Sequence, residues 1–269
     1  PDLPGEDEQY ELYARVVREI APRPVTFRLL DAGGDKLVPA LGQTREPNPF
    51  LGYRSLRLLL DHPDILAAQA RAILYALDGT AGRLLIPMVS SLGEFRAVRA
   101  ELAKQIDELP PLGAMIEVPS ALMQLDAIAA EADFLSVGTN DLTQHMLAVD
   151  RTNARVTRFY DPYHPAIVRA IHRVAESAQK AGKPMSICGE MAANPLLLPV
   201  WLGLGVERIS VDAKSVPVLR ALEAEIDLDR ARAATRDILS MESGPEILER
   251  LESMARREVL EFLSKRRLT

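Results

Sequence analysis

The fold of this chain is decided at residues 133–151, D-F-L-S-V-G-T-N-D-L-T-Q-H-M-L-A-V-D-R. The apolar run Phe134–Val137 has the length of a buried strand and is closed by a glycine. Thr139 and Asn140 follow with the short polar side chains that cap a first helical turn. Asn140 and Asp141 are therefore expected at the carboxyl end of a strand, where α/β folds bind their ligands. The Asn-Asp pair alone would also fit a simple helix cap.

The composition excludes several classes of protein. The 269 residues are 48% hydrophobic and 26% charged, and the formal net charge is −6, which gives no sign of a nucleic-acid partner. No apolar run reaches the roughly 20 residues of a membrane helix. The single cysteine excludes an internal disulfide and fits a reducing cytosol. We therefore predict a cytoplasmic protein with neither a nucleic-acid nor a membrane partner. An anionic small molecule is still a possible ligand, because binding of an anion depends on local clusters of arginine and not on the net charge.

The N-terminal segment predicts a connection to an upstream region. The chain begins at Pro1, and Glu6–Ile20 has the apolar periodicity of an amphipathic helix. Pro22 and Pro24 interrupt this pattern. We predict that residues 1–24 are a lead-in helix and linker from a missing upstream domain.

Strands and helices then alternate from Val25 to about Ala224, which predicts a parallel sheet with helical crossovers. Six strands are predicted at Val25–Leu30, Arg83–Met88, Ala114–Val118, Phe134–Val137, Lys183–Cys188 and Arg208–Val211. Two more, near Leu37–Leu41 and Leu51–Leu60, would complete a (β/α)8 TIM-type barrel over residues 25–226. Residues 227–269 read as a C-terminal helical extension.

Two carboxylates are candidates for a metal site. Glu117 and Asp141 stand near predicted strand ends, and carboxylate oxygens are the ligands that Mg²⁺ prefers. Two such ligands leave coordination positions for water and a substrate. The alternative for Glu117 is a buried ion pair with an arginine.

Four arginines are candidates for binding an anion: Arg28, Arg54, Arg83 and Arg151. The planar guanidinium group matches both phosphate and carboxylate. Several such groups in one pocket would repel one another unless a polyanion filled it, so a substrate that carries phosphate and carboxylate is expected. Each arginine alone would also fit the protein surface.

Cys188, in I-C-G-E-M, lies where a strand is expected to end. If the thiol faces the ligand pocket near cationic groups, it can act as a general acid or base. A buried cysteine with a packing role is the alternative.

At these residues the chain closely resembles the C-terminal, phosphoenolpyruvate-binding domain of enzyme I of the bacterial phosphotransferase system. The motifs are L-L-D-A-G-G-D-K, N-P-F-L-G-Y-R, F-L-S-V-G-T-N-D-L-T-Q, A-V-D-R and I-C-G-E-M, in the family's order and spacing. E-V-P-S-A and Y-D-P-Y-H-P-A are more similar to the nitrogen-related branch of the family.

The resemblance implies a (β/α)8 barrel in which Glu117 and Asp141 hold Mg²⁺. It implies that the phosphoryl and carboxylate groups of phosphoenolpyruvate (PEP) are bound by Arg28, Arg54, Arg83, Asn140 and Arg151. Cys188 would protonate C3 of the enolate as pyruvate forms, and Arg151 would share in catalysis.

The implied partners are a phosphohistidine domain of the same full-length protein, an HPr-like phosphocarrier protein and a second copy of the chain in a homodimer. The family's acceptor histidine lies in a separate domain, and none of the four histidines here has that motif. The chain also departs from the family at Ala193 and Asn194, where Gly-Asp is usual.

Two other functions are open from the residues alone. A Mg²⁺-dependent aldolase or lyase acting on pyruvate-like enolates would use the same carboxylates, and it would release pyruvate from a 2-oxo-4-hydroxy acid without Cys188. A non-catalytic, dimerising PEP sensor would instead show a mass that depends on protein concentration and that ligand shifts.

Overall fold

The computed structural model describes residues 3–33, 46–106 and 108–266, with side chains through residue 255. The chain forms two compact units. The N-terminal unit comprises residues 1–116 and 127–134, and the C-terminal unit comprises residues 117–126 and 135–269. Each unit contains three mutually parallel strands, so the described residues form an α/β fold with six strands.

The strands are β1 (Thr26–Arg28), β2 (Arg83–Ile86), β3 (Leu112–Ile116), β4 (Phe134–Gly138), β5 (Met185–Cys188) and β6 (Arg208–Ile209). The helices are α1 (Glu6–Ile20), α2 (Leu56–Asp61), α3 (Pro63–Leu77), α4 (Leu92–Ala103), α5 (Pro119–Met123), α6 (Leu125–Glu131), α7 (Thr139–Leu147), α8 (Pro165–Ala181), α9 (Leu198–Gly203), α10 (Val216–Glu223), α11 (Leu228–Ser240) and α12 (Gly244–Arg266). Short 3-10 turns lie at Pro49–Leu51, Thr157–Phe159 and Glu190–Ala193.

In the N-terminal unit, β1, β2 and β3 pair in chain order, with Arg28 opposite Leu85. The helix predicted at Glu6–Ile20 is confirmed as α1, which packs on α3, and its role as a lead-in stays a prediction. An ion pair joins these two helices, because Arg71 Nη2 lies 2.6 Å from Glu6 Oε2. The predicted domain boundary after residue 24 stays a prediction.

In the C-terminal unit, β4, β5 and β6 pair in chain order, and Gly138 lies opposite Cys188. This register brings the carboxyl ends of β4 and β5 to the same level. The side chain of Arg169 on α8 closes the end of α11, donating to the carbonyl oxygens of Leu239 at 3.1 Å and Met241 at 2.9 Å. Such bonds satisfy carbonyls that a helix end leaves without partners.

The six strands predicted from the pattern are confirmed, but the strand predicted near Leu51–Leu60 is wrong. The structure has a 3-10 turn at Pro49–Leu51 and helix α2 from Leu56. Leu56 and Leu59, three residues apart, are both fully buried, so the apolar run follows the period of a helix. The strand predicted near Leu37–Leu41 lies outside the described residues, and the full eight-stranded barrel stays a proposal.

Helix α4 begins at a capping box and ends at Ala103. At its start, Ser91 Oγ accepts from Glu94 N at 3.2 Å. Its last turn tightens, since Gln105 N donates to Leu102 O at 2.9 Å, the spacing of a 3-10 turn.

In the described part of the chain, no helix combines the length and the apolar character needed to span a membrane.

Candidate functional site

In the N-terminal unit, two of the predicted arginines share one carboxylate. Arg54 Nη2 lies 3.0 Å from Asp31 Oδ1 and 3.1 Å from Oδ2, and both side chains are 5% exposed. Arg28 Nη1 lies 3.5 Å from the same Asp31 Oδ2. Asp31 thus contacts both guanidinium groups and orients them. Asp31 was not predicted; its position three residues after Arg28 was the available signal.

The position of Arg54 depends on a close backbone approach. Gly33 forms an antiparallel bridge with Arg54 and has a φ of +98°. A Cβ at Gly33 would lie 2.5 Å from Tyr53 O and 2.7 Å from Arg54 Cα. The glycine therefore allows two segments to approach more closely than any side chain would permit.

Arg83 lies at the amino end of its strand, as in the strand predicted at Arg83–Met88. Arg83 is the first residue of β2 and lies opposite Thr26, so it marks the amino end of the strand. Its guanidinium carbon lies 5.6 Å from the ring centroid of Phe134, which is a cation–π distance.

In the C-terminal unit, Glu117 and Asp141 are both buried, at 3% and 7% exposure. Gly138 allows the Glu117 side chain to lie against the end of β4, because a Cβ there would be 2.2 Å from Glu117 Oε2. Asp141 follows three residues later, in the first turn of α7. A buried carboxylate is costly unless cations or hydrogen bonds compensate it.

These carboxylates fit a magnesium ion. They are hard oxygen donors, and Mg²⁺ is usually bound through one or two carboxylates, with water and substrate oxygens completing its coordination. Within the described residues, no group of three or more His, Cys, Asp and Glu side chains forms an all-protein cage. The donor set therefore suits a metal that binds together with its substrate.

Thr139 and Asn140 do not cap α7 as predicted. Gly138 occupies the cap position without a side-chain hydrogen bond. Thr139 Oγ1 instead donates to Cys188 O at 2.7 Å, and Asn140 Oδ1 accepts from Glu190 N at 2.9 Å. Both side chains lie already inside the first turn, so they join the end of β4 to the turn after β5.

Cys188 lies at the carboxyl end of β5, as predicted. Its Sγ donates to Val137 O at 3.3 Å and accepts from Ser136 Oγ at 3.9 Å. The thiol is partly exposed. If Cys188 gives up its proton, the sulfur becomes a thiolate, which the Ser136 hydroxyl can stabilise.

Arg151 is held by a residue that the sequence did not single out. Gln144 Oε1 accepts from Arg151 N at 3.1 Å, and Gln144 is 4% exposed.

The Tyr160 phenol lies near charged groups of the candidate site. Burial raises the pKa of Tyr160 above its usual value of about 10. The charge of Arg151 lowers this pKa, and the charges of Glu190 and Asp141 raise it. These groups therefore share one electrostatic environment, in which Tyr160 is protonated at neutral pH and donates to Asn140 O at 3.3 Å.

His145 is a second residue that the sequence did not single out. Its Nδ1 lies 3.0 Å from Glu117 O. Because a carbonyl oxygen only accepts, this contact places the proton on Nδ1. The bond ties α7 to the backbone of a candidate metal ligand.

The turn after Cys188 is stabilised by the residue at which the chain departs from the family. Asn194 Nδ2 donates to Tyr163 OH at 2.7 Å, and Asn194 Oδ1 accepts from Leu196 N at 3.0 Å. Asparagine therefore makes both bonds through its side-chain amide, and its backbone N–H closes the 3-10 turn at Glu190–Ala193 by donating to Met191 O at 3.2 Å.

We expect Gly138→Ala to displace the Glu117 carboxylate with a small loss of stability, because the obstructing atom is the end of a flexible side chain. Metal affinity should fall about tenfold or more, since displacing ligand geometry is costly. Calorimetric titration of Mg²⁺ in the presence of PEP measures this effect. Gly93→Ala is the control, because its nearest neighbour would be Ser91 Oγ at an ordinary 3.7 Å. Equal affinities for the two variants would contradict the expectation.

Comparison with known proteins agrees with these motifs. Residues 1–228 match the family described as "PEP-utilising enzyme, PEP-binding domain". The phosphoenolpyruvate-protein phosphotransferase of Priestia megaterium is 40% identical over 262 residues, which cover 94% of this chain and 46% of the relative. The phosphoenolpyruvate-protein phosphotransferase of Bacillus subtilis is 39% identical, and the match covers 91% of this chain and 45% of the relative. The multiphosphoryl transfer protein of Escherichia coli O6:H1 is 37% identical, with 91% and 31% covered.

This chain therefore spans less than half the length of these relatives. Among solved structures, a citrate lyase from Burkholderia xenovorans LB400 covers 88% of this chain and 92% of that chain at 13% identity, with a TM-score of 0.45. That similarity is too low to assign a fold. The family match and the identities over most of the chain are specific, and they show that the chain belongs to the PEP-utilising enzymes, as their PEP-binding domain.

Proposed function

We propose that this chain binds PEP together with Mg²⁺ and, within a longer protein, transfers its phosphoryl group to a histidine on a separate domain. The observation that carries the proposal is the pair of buried carboxylates, Glu117 and Asp141, near Gly138 at the end of β4. In a family that uses PEP, such a pair is best explained by a cation that binds with an anionic substrate.

In the proposed site, Arg28, Arg54 and Arg151 bind the phosphoryl and carboxylate groups through charge-assisted hydrogen bonds. Asn140 contributes its amide group. Arg83, at the amino end of its strand, stays a predicted substrate-binding residue. Bound at Glu117 and Asp141, Mg²⁺ would supply charge stabilisation to the transferring phosphoryl group and the enolate oxygen.

The bond between phosphorus and the enol oxygen breaks as a new bond forms between phosphorus and the acceptor histidine. The arginines hold the substrate in line during this step, so the chain contributes positioning and charge stabilisation. The enolate then takes a proton at C3 from Cys188 Sγ, which yields pyruvate. Ser136 Oγ, 3.9 Å from the sulfur, is placed to stabilise the thiolate that remains.

The wider assignments are also proposals. They are a complete (β/α)8 barrel, a phosphohistidine domain in the full-length protein, an HPr-like phosphocarrier protein as the next acceptor, a homodimer, and a cytoplasmic location. The relatives named phosphoenolpyruvate-protein phosphotransferase support the acceptor chemistry, and the single cysteine is compatible with a reducing compartment.

The test is calorimetric titration of PEP into the purified chain, with and without Mg²⁺. We expect binding that requires the metal. Failure of the chain to bind PEP under both conditions would contradict the proposal. Release of pyruvate from a 2-oxo-4-hydroxy acid by a Cys188→Ala variant would instead favour a lyase.

A further inference from the structure

A chain of hydrogen bonds in the N-terminal unit connects the lead-in helix to the arginine cluster. Its centre is Gln69 on α3, a side chain only 7% exposed. Gln69 Oε1 accepts from Leu30 N at 2.9 Å, and Gln69 Nε2 donates to Tyr13 OH at 3.2 Å. One buried amide therefore bonds both the backbone after β1 and a side chain of α1.

The connection continues along α1. Tyr13 OH donates to Gln9 Oε1 at 3.3 Å, and Gln9 Nε2 donates to Pro4 O at 3.0 Å. The Tyr13 ring also packs on Phe27 of β1, with ring centroids 4.9 Å apart. The series runs from the exposed Gln9–Pro4 bond to the buried amide of Gln69. Hydrogen bonds around a buried polar group fix one arrangement of its partners.

At its other end, the network reaches the arginines through the backbone. Leu30, whose N–H bonds Gln69, directly precedes Asp31, and Asp31 Oδ1 and Oδ2 lie 3.0 and 3.1 Å from Arg54 Nη2. A displacement at Leu30 therefore moves the carboxylate that orients Arg54. Neither partner of Gln69 is near it in sequence: Leu30 is 39 residues away and Tyr13 is 56.

We infer that Gln69 is a positioning residue for substrate binding, acting through Leu30 and Asp31 on Arg54, and that Tyr13 makes this positioning sensitive to α1. The inference rests on the proposed function, in which Arg54 binds the phosphoryl or carboxylate group of PEP. Gln69 touches no proposed ligand atom, and its effect is transmitted by the carboxylate that holds Arg54.

The experiment measures PEP affinity in a double-mutant cycle of Gln69→Met and Arg54→Lys. Methionine preserves the length of the side chain but provides no donor or acceptor of comparable strength. We expect Gln69→Met to weaken PEP binding about threefold to tenfold, the factor that one or two lost hydrogen bonds produce. In the Arg54→Lys background, the same change should alter the affinity less than about twofold, since residues that act through one another are not additive.

Two further variants separate positioning from general damage. Tyr13→Phe removes one hydroxyl and retains the ring that packs on Phe27, so we expect a loss in the same direction, about twofold. Arg71→Met breaks the ion pair with Glu6 on α1 without touching Gln69 or Leu30, and it should leave PEP affinity unchanged. If Gln69→Met does not fold, Tyr13→Phe alone decides the inference.

A second readout keeps this inference distinct from the proposed function. Hydrogen exchange at Arg54 Nη2–H, which bonds Asp31, followed by nuclear magnetic resonance without ligand, should accelerate in Gln69→Met and stay unchanged in Arg71→Met. A parent chain that fails to bind PEP would overturn the proposed function, while this exchange rate would still test the positioning of Arg54. Unchanged exchange in Gln69→Met, or an equal loss of affinity in both backgrounds of the cycle, would overturn the inference.

Discussion

Asp141→Asn is expected to remove the magnesium-dependent part of PEP binding and to weaken that binding at least about 100-fold. The amide has nearly the shape of the carboxylate but no charge, so a hard divalent cation loses one of two anionic protein ligands. Even a change to the second shell of a metal site costs about 10- to 100-fold in metal affinity. Titration of PEP at several Mg²⁺ concentrations measures the effect as a loss of metal dependence.

The matched control is Asp126→Asn, in the same unit. Asp126 is an exposed carboxylate that pairs with Lys180 Nζ at 3.0 Å and accepts from Ser177 Oγ at 2.7 Å. The Asp126→Asn substitution changes the net charge of the chain by the same amount as Asp141→Asn. It should leave PEP binding and the metal dependence of that binding unchanged. If Asp141→Asn kept the metal dependence of the parent chain, Asp141 would not be a magnesium ligand.

Gly33→Ala is expected to lower the free energy of unfolding by about 2–4 kcal/mol and to weaken PEP binding about tenfold or more. The backbone at Gly33 has a φ of +98°, which costs an L-residue energy by itself. The added Cβ would also meet backbone atoms, Tyr53 O and Arg54 Cα, at 2.5 and 2.7 Å. Relief of that contact requires Arg54 to move, so stability and ligand affinity should fall together.

Gly79→Ala separates the cost of the positive φ from the cost of the contact with neighbouring backbone atoms. Gly79 also has a positive φ, +68°, but no atom lies within 4 Å of the position that its Cβ would occupy. Its substitution should cost about 1 kcal/mol and leave PEP affinity unchanged. Urea unfolding and calorimetric titration of both variants measure these effects. Equal costs at the two glycines would show that the close approach of Gly33 to Arg54 does not contribute.

The two substitutions act on different groups of the proposed site. Asp141→Asn removes a charge where the surrounding backbone is retained, and Gly33→Ala changes the backbone that positions a retained charge. Loss of binding in the first with normal stability, and loss of both in the second, would distinguish a ligand from a positioning element.

The sequence alone determined the six strands and the family, but it misassigned the segment near Leu51–Leu60. The bounds of α1 and α3 follow from apolar periodicity and from a proline at a first helical turn. The end of β4 at its glycine and the motif-bearing residues Glu117, Asp141 and Cys188 were also identified this way. Such features are predictable because they depend on residues only a few positions apart.

The tertiary structure decided which partners those residues have. Gln69 as the link to α1 and His145 at the Glu117 backbone leave no local pattern in the chain. Asp31 shows its spacing from Arg28 in the sequence, but not its bond to Arg54. Hydrogen bonds between residues 23 to 56 positions apart form only when packing brings their elements together, and periodicity along the chain carries no information about that packing.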